Sequence, residues 1–580
     1  MKSDYQRLKS QASSHHSYSY YRKNQQEIPF YKKRYFSVFI ILLVLVIALI
    51  ARMVYLTVDD QRFLLGQGNA RSLRIVNIPA YRGMILDRNS DPLAVSTPVD
   101  SVWVNPQDFP DTIDNLQQLG HLLSISPNVI QRIINHNAKR EFMYLKREVN
   151  PALAKQVQAL AIPGVYLEQA YQRFYPMGEA AAHVIGFTNI DGLGEEGLEL
   201  AYNNWLTGAP GQERVVKDRY KHIVAILSKV RDAKPGNDLT LSIDSRIQFL
   251  AYRVLKATVE KFHAESGSVV VLNPKTGEIL AMVNQPSYNP NQQLDRDYGQ
   301  YRNRAVTDMF EPGSTMKAFS VTSAIDSGKY KPTTLVNTSP GWFKVGRNVV
   351  RDETLNHGMI DVTQILQKSS NVGVAKMTLS LAPEHFIDLL QRVGFGERTM
   401  SGFPGESTGI LPIHVTWRPF ELATLAFGYG ISVTPLQLAH AYGVIADHGL
   451  KCPVSFIKQD NQPSCKRVMK EKDANEILTM LQSVLGAEGT GFRANISGYN
   501  VAGKTGTAKI AGPNGYYKDR HVGSFVGIAP VSDPQLVVAV VVRDPKHYYY
   551  GAVVAAPAFQ AIMSGALRIL NIPPDKSSKA

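Results

Sequence analysis

Apolar residues follow one another almost without a break from Phe36 to Ala51, and Met53–Val58 carries the run past Arg52. A helix needs about 20 apolar residues to cross a bilayer. The pattern predicts a membrane-spanning helix over 36–58, with Arg52 near enough to its end to snorkel to the interface. The stretch before it is polar, with clusters such as Ser13-Ser14-His15-His16, and reads as a disordered tail over 1–35.

Past residue 58 shorter periods take over. Alternation around Ile85 and the turn Asp87-Arg88-Asn89 predict a strand and hairpin. Helical periods follow at Thr112–Leu123 and Asn128–Asn137. A boundary falls near Asp218–Asn237. Leu239–Ile243 then alternates as a strand, and Ile247–Phe262 has a helical period. Ser268–Leu272 and Ile279–Val283 flank the turn Asn273-Pro274-Lys275-Thr276-Gly277, which predicts a hairpin. Thr315–Asp326 has helical character. Residues 360–450 are largely helical, broken at Gly394, Gly402–Gly409 and Thr434-Pro435. Two apolar strands, Ser524–Ala529 and Leu536–Val542, precede a helix at Ala558–Leu570. Helices filling the middle of a segment flanked by antiparallel strands indicate an α+β fold. The expected organisation is a tail at 1–35, an anchor at 36–58, an outer domain at 59–230, a larger α+β domain at 231–575 and a short tail at 576–580.

Charge fixes the orientation this predicts. The chain carries a net +14, and eight of its Lys/Arg residues fall within 1–35 against only Asp4 and Glu27. A basic stretch before a membrane span places the N-terminus in the cytoplasm, so everything after about residue 59 is expected outside. A cleaved signal peptide is the alternative, but the tail and the apolar run are both long for one. No Arg-rich groove with interleaved aromatics follows, which argues against nucleic acid. Cys452 and Cys465 are the only cysteines. They either close a short disulfide loop, the expectation for an oxidising compartment, or stand as two free thiols. No cluster has metal-ligand spacing.

The candidate chemistry begins at Glu311-Pro312-Gly313-Ser314-Thr315-Met316-Lys317. A Pro-Gly turn runs into a helix, and residues three apart on a helix share a face. That sets the Ser314 hydroxyl beside the Lys317 amine, as a nucleophile and its base. Ser-x-x-Lys alone is weak, since Ser455-Phe456-Ile457-Lys458 repeats it without context. Lys275-Thr276-Gly277 likewise duplicates Lys504-Thr505-Gly506 inside a hairpin turn. Only one ordered set exists: Ser314 and Lys317, then Ser369-Ser370-Asn371, then Lys504-Thr505-Gly506-Thr507.

Each type suits a role in acyl transfer. Lys317 accepts the Ser314 proton only when neutral, and burial or the nearby cation of Lys504 lowers its pKa. Ser369 can relay a proton to a leaving amine. Asn371 can hydrogen-bond Lys317 and a substrate amide. Lys504, with the hydroxyls of Thr505 and Thr507, offers a charge-assisted seat for a carboxylate. The N–H groups of Ser314 and Thr507 can form an oxyanion hole, worth about 3–4 kcal/mol. For Ser369 and Asn371 taken alone, helix capping is the competing reading. His183, set among apolar residues, reads as structural. No metal or organic cofactor is required.

The three motifs resemble those of the penicilloyl-serine transferases. Arg82-Gly83 with Asp87-Arg88, Arg173-x-Tyr175-Pro176, Ala182-His183-Val184-Ile185-Gly186-Phe187 and Glu196-Gly197 look like the N-terminal motifs of class B penicillin-binding proteins. Ala502–Lys509, Tyr429–Gln437 and Ala556-Pro557-Ala558-Phe559 look most like the division-specific branch. The resemblance covers roughly 30–575. It implies a single-pass protein of the bacterial inner membrane with an elongated pedestal and a periplasmic D,D-transpeptidase domain cross-linking septal peptidoglycan. It further implies a D-Ala-D-Ala donor, a diaminopimelate acceptor, β-lactams that acylate Ser314, and an FtsW-type glycosyltransferase with other divisome membrane proteins as partners. By the same similarity Tyr549 and Tyr550 form an aromatic wall beside the site, the alternative being a solvated aromatic loop. An elongation-specific transpeptidase, a D,D-carboxypeptidase, a serine β-lactamase and a non-enzymatic β-lactam receptor are the rival readings. No Glu-x-x-Leu-Asn, which class A lactamases use for deacylation, lies between Asn371 and Lys504.

Overall fold

The computed structural model describes residues 29–110, 112–218, 223–292, 299–354 and 356–576. Most of the expected N-terminal tail, 1–28, lies outside them. The apolar helix runs Pro29–Val54 and continues as a π-helical turn, Tyr55–Asp59. It starts before the expected limit at residue 36. Proline is well tolerated at a helix start, and extending a nucleated helix through Lys33 and Arg34 costs little. Within it, Lys33–Asp59 is long and apolar enough to cross a membrane, and none of that stretch is buried.

By compactness the chain forms two units. Among the described residues, one comprises those up to 76 with those in 214–228, and the other those in 77–213 with those from 229 on. After the apolar helix the first unit carries a second helix, Gln61–Ser72. The strands Leu73–Ile78, Gly211–Lys217 and Ile223–Arg231 make a three-stranded sheet in that order.

The second unit opens on a sheet built around the long strand Pro92–Val104. Ile85–Leu86, Met143–Val149 and Val165–Phe174 pair with it, all antiparallel. The helices Ile113–Leu123 and Pro127–His136 fall close to where their periods predict. Thr112 caps the first by accepting from Asn115 N–H. Their apolar faces bury Leu116, Leu119, Leu123, Ile130 and Ile134 against Val102 and Val104 of the sheet.

The structure assigns a job to the N-terminal motif residues. Glu199 is fully buried between two guanidinium groups: Arg82 Nε lies 2.6 Å from Oε2, and Arg173 Nε 2.7 Å from Oε1. Arg82 donates further to Asn203 Oδ1 and Thr207 Oγ1. Removing one partner of such a buried pair leaves an uncompensated charge, at a cost of roughly 3–5 kcal/mol. Gly186 and Gly197 are glycines because their segments touch. A Cβ on Gly186 would lie 1.8 Å from Glu196 O, and both have positive φ. Asp87 ties this region to the helix that begins at Ser245, accepting from the N–H groups of Asn89, Asp91 and Ser245. Burial works to raise its carboxyl pKa, but these donors outweigh burial and hold it low.

Five helices and five strands frame the rest: α1 (Ser245–Lys261), β1 (Ser266–Leu272), β2 (Ile279–Gln285), α2 (Lys317–Asp326), α3 (Asn371–Leu379), α4 (Pro435–Ala446), β3 (Ala502–Gly512), β4 (Gly515–Ala529), β5 (Leu536–Arg543) and α5 (Ala556–Ile569). The strands form one antiparallel sheet in the order β2-β1-β5-β4-β3. Every residue of β1 and β2 is buried, so both faces are covered. On β1, a Cβ on Gly267 would meet Leu255 and Val259 of α1, whereas Leu272 reaches Gly443 of α4. Residues five apart on a strand point to opposite faces, so α1 and α4 cover opposite faces. The expected hairpin at 268–283 and both late strands are present. Leu239–Ile243 departs from expectation, with only Leu239–Thr240 in a ladder. Ser242 instead donates to Ile279 O, and Asp244 already caps α1.

Candidate active site

A turn of 3₁₀ helix, Gly313–Met316, leads into α2. Gly313 has φ 54°, and a Cβ there would lie 2.8 Å from Thr507 O. Gly506 shows the same closeness from the other side. Its Cβ would meet Ser524 Oγ at 2.3 Å, Pro312 O at 2.8 Å and Thr315 Cγ2 at 2.9 Å. The serine turn is thus pressed onto β3, and both glycines exist for that contact. From α4, Tyr442 Oη donates to Thr315 O at 2.8 Å and holds the turn from beneath. Ser314, partly exposed, makes no side-chain hydrogen bond among the described residues.

Lys317 is the first residue of α2 and is 1% exposed. Its Nζ donates to Ser369 O at 2.6 Å and to Ser369 Oγ at 3.0 Å. Lys504, on β3, is fully buried, and its Nζ lies 3.0 Å from the same Oγ. One hydroxyl therefore bridges two buried amines. Ser369 reaches this position by adopting the left-handed conformation, φ 60° and ψ 45°, where the helix Val362–Lys368 ends. The capping work at this junction falls to Ser370, which accepts from Gly373 N–H at the start of α3. Ser370 Oγ also donates to Asp352 Oδ2 at 2.8 Å, and Asp352 Oδ1 accepts from Val372 N–H.

Burial pushes the Lys317 amine down to about 8, while Asp352 and Glu353 work the other way. Burial, and then the charge of Lys317, pushes Lys504 well below the ordinary lysine value. Two ammonium groups on one hydroxyl in a dry site cannot both stay charged, so the pair titrates as a unit.

Asn371 does not meet Lys317. Its Nδ2 donates to Arg351 O at 2.9 Å, because Asn371 opens α3 facing the hairpin Trp342–Val345 with Asn348–Arg351. Thr505 Oγ1 donates to Thr490 Oγ1 at 3.2 Å. Thr507 Oγ1 accepts from Gly551 N–H at 3.1 Å, which fastens the loop Tyr548-Tyr549-Tyr550 beside it. In that loop Tyr549 stacks on His521 at 4.0 Å and on Tyr550 at 4.5 Å. The loop is packed rather than loose, with Tyr549 half-buried and Tyr550 exposed.

Residues 267–564 match the penicillin-binding protein transpeptidase domain, and residues 77–241 match the penicillin-binding protein dimerisation domain. Peptidoglycan D,D-transpeptidase FtsI of Escherichia coli K12 is 41% identical over 533 residues, 91% of this chain and 90% of that protein. The probable peptidoglycan D,D-transpeptidase PenA of Neisseria gonorrhoeae is 43% identical over 538 residues, 92% of each. This chain is a class B penicillin-binding protein. Penicillin-binding protein 3 of Mycobacterium tuberculosis, solved in complex with aztreonam, superposes with a TM-score of 0.67 at 29% identity. The match covers 86% of this chain and 98% of that one.

The duplicated motifs of this penicillin-binding protein are taken up in local structure. Lys275 pairs with Asp533 at 2.5 Å, and a Cβ on Gly277 would meet Pro453 O at 2.0 Å, so that Lys-Thr-Gly is a packed turn. Ser455 Oγ donates to Ile457 O and is spent on a local turn. His183 Nε2 lies 2.9 Å from Gln300 O, and burial pushes its ring down to about 4, which keeps it neutral and structural. Two residues escape any reading of the motifs. Asp352 holds the Ser369 loop, and Glu311 Oε1 accepts from Gly430 N–H and from Tyr516 Oη, both at 2.8 Å. Nothing in the spacing singles out Asp352. Glu311 stands three residues before the serine, and burial raises its carboxyl pKa.

Proposed function

We propose that this chain is a serine-type peptidoglycan D,D-transpeptidase that cross-links septal stem peptides through an acyl-enzyme on Ser314. The observation that carries the reading is Ser369 Oγ, held 3.0 Å from both Lys317 Nζ and Lys504 Nζ. That arrangement links a base, a relay and a carboxylate site through one atom. A stem-peptide D-Ala-D-Ala carboxylate beside Lys504, Thr505 and Thr507 favours the charged form of Lys504. The proton shared by the pair is then drawn to Lys504, and Lys317 becomes the neutral base. Lys317 takes the Ser314 proton as Oγ attacks the penultimate carbonyl. The N–H groups of Ser314 and Thr507 receive the oxyanion. Collapse breaks the peptide bond, and the proton passes through Ser369 to the departing D-alanine amine. The amine of a second stem peptide, diaminopimelate in this reading, attacks the ester next and releases Ser314. Asn371, held by Arg351 O, borders the channel for the peptide amide, and Tyr549 and Tyr550 form its aromatic wall.

The same reading makes 59–230 a pedestal and 231–575 the catalytic domain. The N-terminus lies in the cytoplasm, the catalytic domain in the periplasm, and the anchor and pedestal meet an FtsW-type glycosyltransferase and other divisome proteins. β-Lactams, which mimic the donor, acylate Ser314 and leave slowly. Fluorescent penicillin labels the wild type and fails to label Ser314→Ala; persistent labelling of that variant sinks the assignment. Rapid multiple turnover of a β-lactam would favour a lactamase. Depletion gives filaments if the role is septal, and round cells if the chain serves elongation.

A further inference from the structure

Far from the serine turn, a two-stranded ribbon sets two lysines face to face. Leu450–Lys451 and Lys466–Arg467 are antiparallel, with Lys451 directly opposite Lys466. The neighbouring residues, Cys452 and Cys465, are joined by the disulfide. Like charges directly opposite on paired strands repel, and a covalent bridge one residue away keeps these in register. Among the described residues no carboxylate lies within ion-pair distance of either ammonium. Lys451 is half-buried, and its amine lies against Gly394. Burial and the charge of Lys466 lower its pKa, which Glu397 offsets in part.

Both lysines line a cavity of about 950 Å³, as does Arg398, which also has no ion-pair partner among the described residues. The other cations there are engaged: Lys470 pairs with Asp326 at 2.6 Å, and Arg467 with Glu471 at 3.7 Å. None of Ser314, Lys317, Ser369, Asn371 or Lys504 lines it. Its wall also carries Val468, Met469 and Met400, the last 80% exposed. Three cations without an ion-pair partner, two of them beside the disulfide, outweigh the Glu397 carboxylate in the same lining and leave this wall net positive. A bound anion offsets that charge.

We propose that this cavity is a second, non-catalytic binding site for a short peptide carrying two or more carboxylates. Its volume matches a short peptide rather than a lone inorganic ion. The exposed Met400 side chain gives a peptide an apolar surface to cover. The Arg398 guanidinium presents a fork suited to a carboxylate, and the stapled ammonium pair supplies a second anchor at little ordering cost.

The test uses the full chain in detergent with a labelled acetylated tetrapeptide containing two glutamates. Controls are its two-glutamine counterpart and inorganic phosphate, with binding read by fluorescence anisotropy and by competition. The glutamate peptide is expected to bind and to weaken as salt rises. The glutamine peptide should not bind, and phosphate should compete poorly. Lys466→Gln, at an exposed position, and the Lys451→Gln/Lys466→Gln pair should each weaken binding by about tenfold or more, with an unchanged thermal midpoint. The proposal is overturned if the glutamate peptide does not bind. Equal binding of the glutamine peptide, phosphate competing as strongly, or unaltered affinity in both variants would also overturn it. Penicillin labelling of Ser314 is read in parallel, so failure here leaves the transpeptidase reading separately tested.

Discussion

Lys317 carries two opposed consequences of one burial. A lysine held at about 8 rather than 10.5 binds its proton less tightly in the folded chain than in the unfolded one. Below about 8 both states hold the proton, and the fold bears the full penalty, on the order of 3 kcal/mol. As pH rises from 8 toward 10.5 only the unfolded chain stays protonated, so stability climbs. Replacing Lys317 by Met should therefore abolish penicillin acylation and raise stability at pH 7, seen as a higher denaturant midpoint. The rate follows from the proton that the pair shares. A bound carboxylate draws that proton to Lys504 and leaves Lys317 neutral, so the second-order rate constant for penicillin acylation should be level below about 8 and fall above it, as the free enzyme loses the proton. A rate that climbs through pH 8 and then levels off would contradict this transfer and mean that Lys317 must lose its proton to solvent. The meeting of Lys317, Ser369 and Lys504 was legible in the chain because the order and types of the three motifs answer to one chemistry, with Ser314 the proposed nucleophile on the turn before Lys317. Asp352 was not, because it acts on the Ser369 loop through Ser370 and Val372, contacts made only once the hairpin before α3 folds back.

At the scale of elements, the site is a junction between the start of α2, the helix break at Ser369 and the strand β3. Gly506 belongs to the contact rather than to the chemistry. A methyl group there would sit 2.3 Å from Ser524 Oγ and 2.8 Å from Pro312 O, so β3 and the serine turn must separate. Gly506→Ala should lower penicillin acylation by about 100-fold, the effect of a misplacement near 1 Å. It should cost only about 1–3 kcal/mol of stability, as overpacking does. An acylation rate within a few-fold of wild type, with the fold intact, would show that the turn tolerates the shift. Elements with strong periods were legible. The hairpin around Asn273–Gly277, the helix at 245–261 and the last strand stand where alternation and period put them, whereas β4 begins at Gly515, well before its expected start at Ser524. The misreadings share a cause. Leu239–Ile243 alternates like a strand, yet its ladder stops at Thr240, and Ser242 turns to Ile279 O. Asn371 looked like a partner of Lys317, yet helix geometry turns it toward Arg351. Both outcomes depend on tertiary neighbours that no local pattern encodes.

For the molecule as a whole, the first described helix and the disulfide speak to the same compartment. Lys33–Asp59 buries nothing within the chain and is long and apolar enough to cross a bilayer. The bridge between Cys452 and Cys465 closes a loop with a sequence separation of 13, and such bonds persist outside the cytoplasm. In the orientation proposed above, with the basic residues before the span inside, the remainder of the chain lies on the oxidising side. Two measurements follow from this. Protease added to spheroplasts should degrade the chain down to a membrane-protected fragment that retains an N-terminal tag; a full-length chain surviving in intact spheroplasts would reverse the orientation. A chain beginning at residue 60 should be soluble, keep the disulfide and acylate with penicillin within about twofold of the full-length rate. Residues 77–213 and 229–580 hold the catalytic core in one compact unit, and a unit with its own core can fold alone. Loss of acylation in the truncated chain, with its thermal midpoint preserved, would mean that the anchor contributes to catalysis and not only to location.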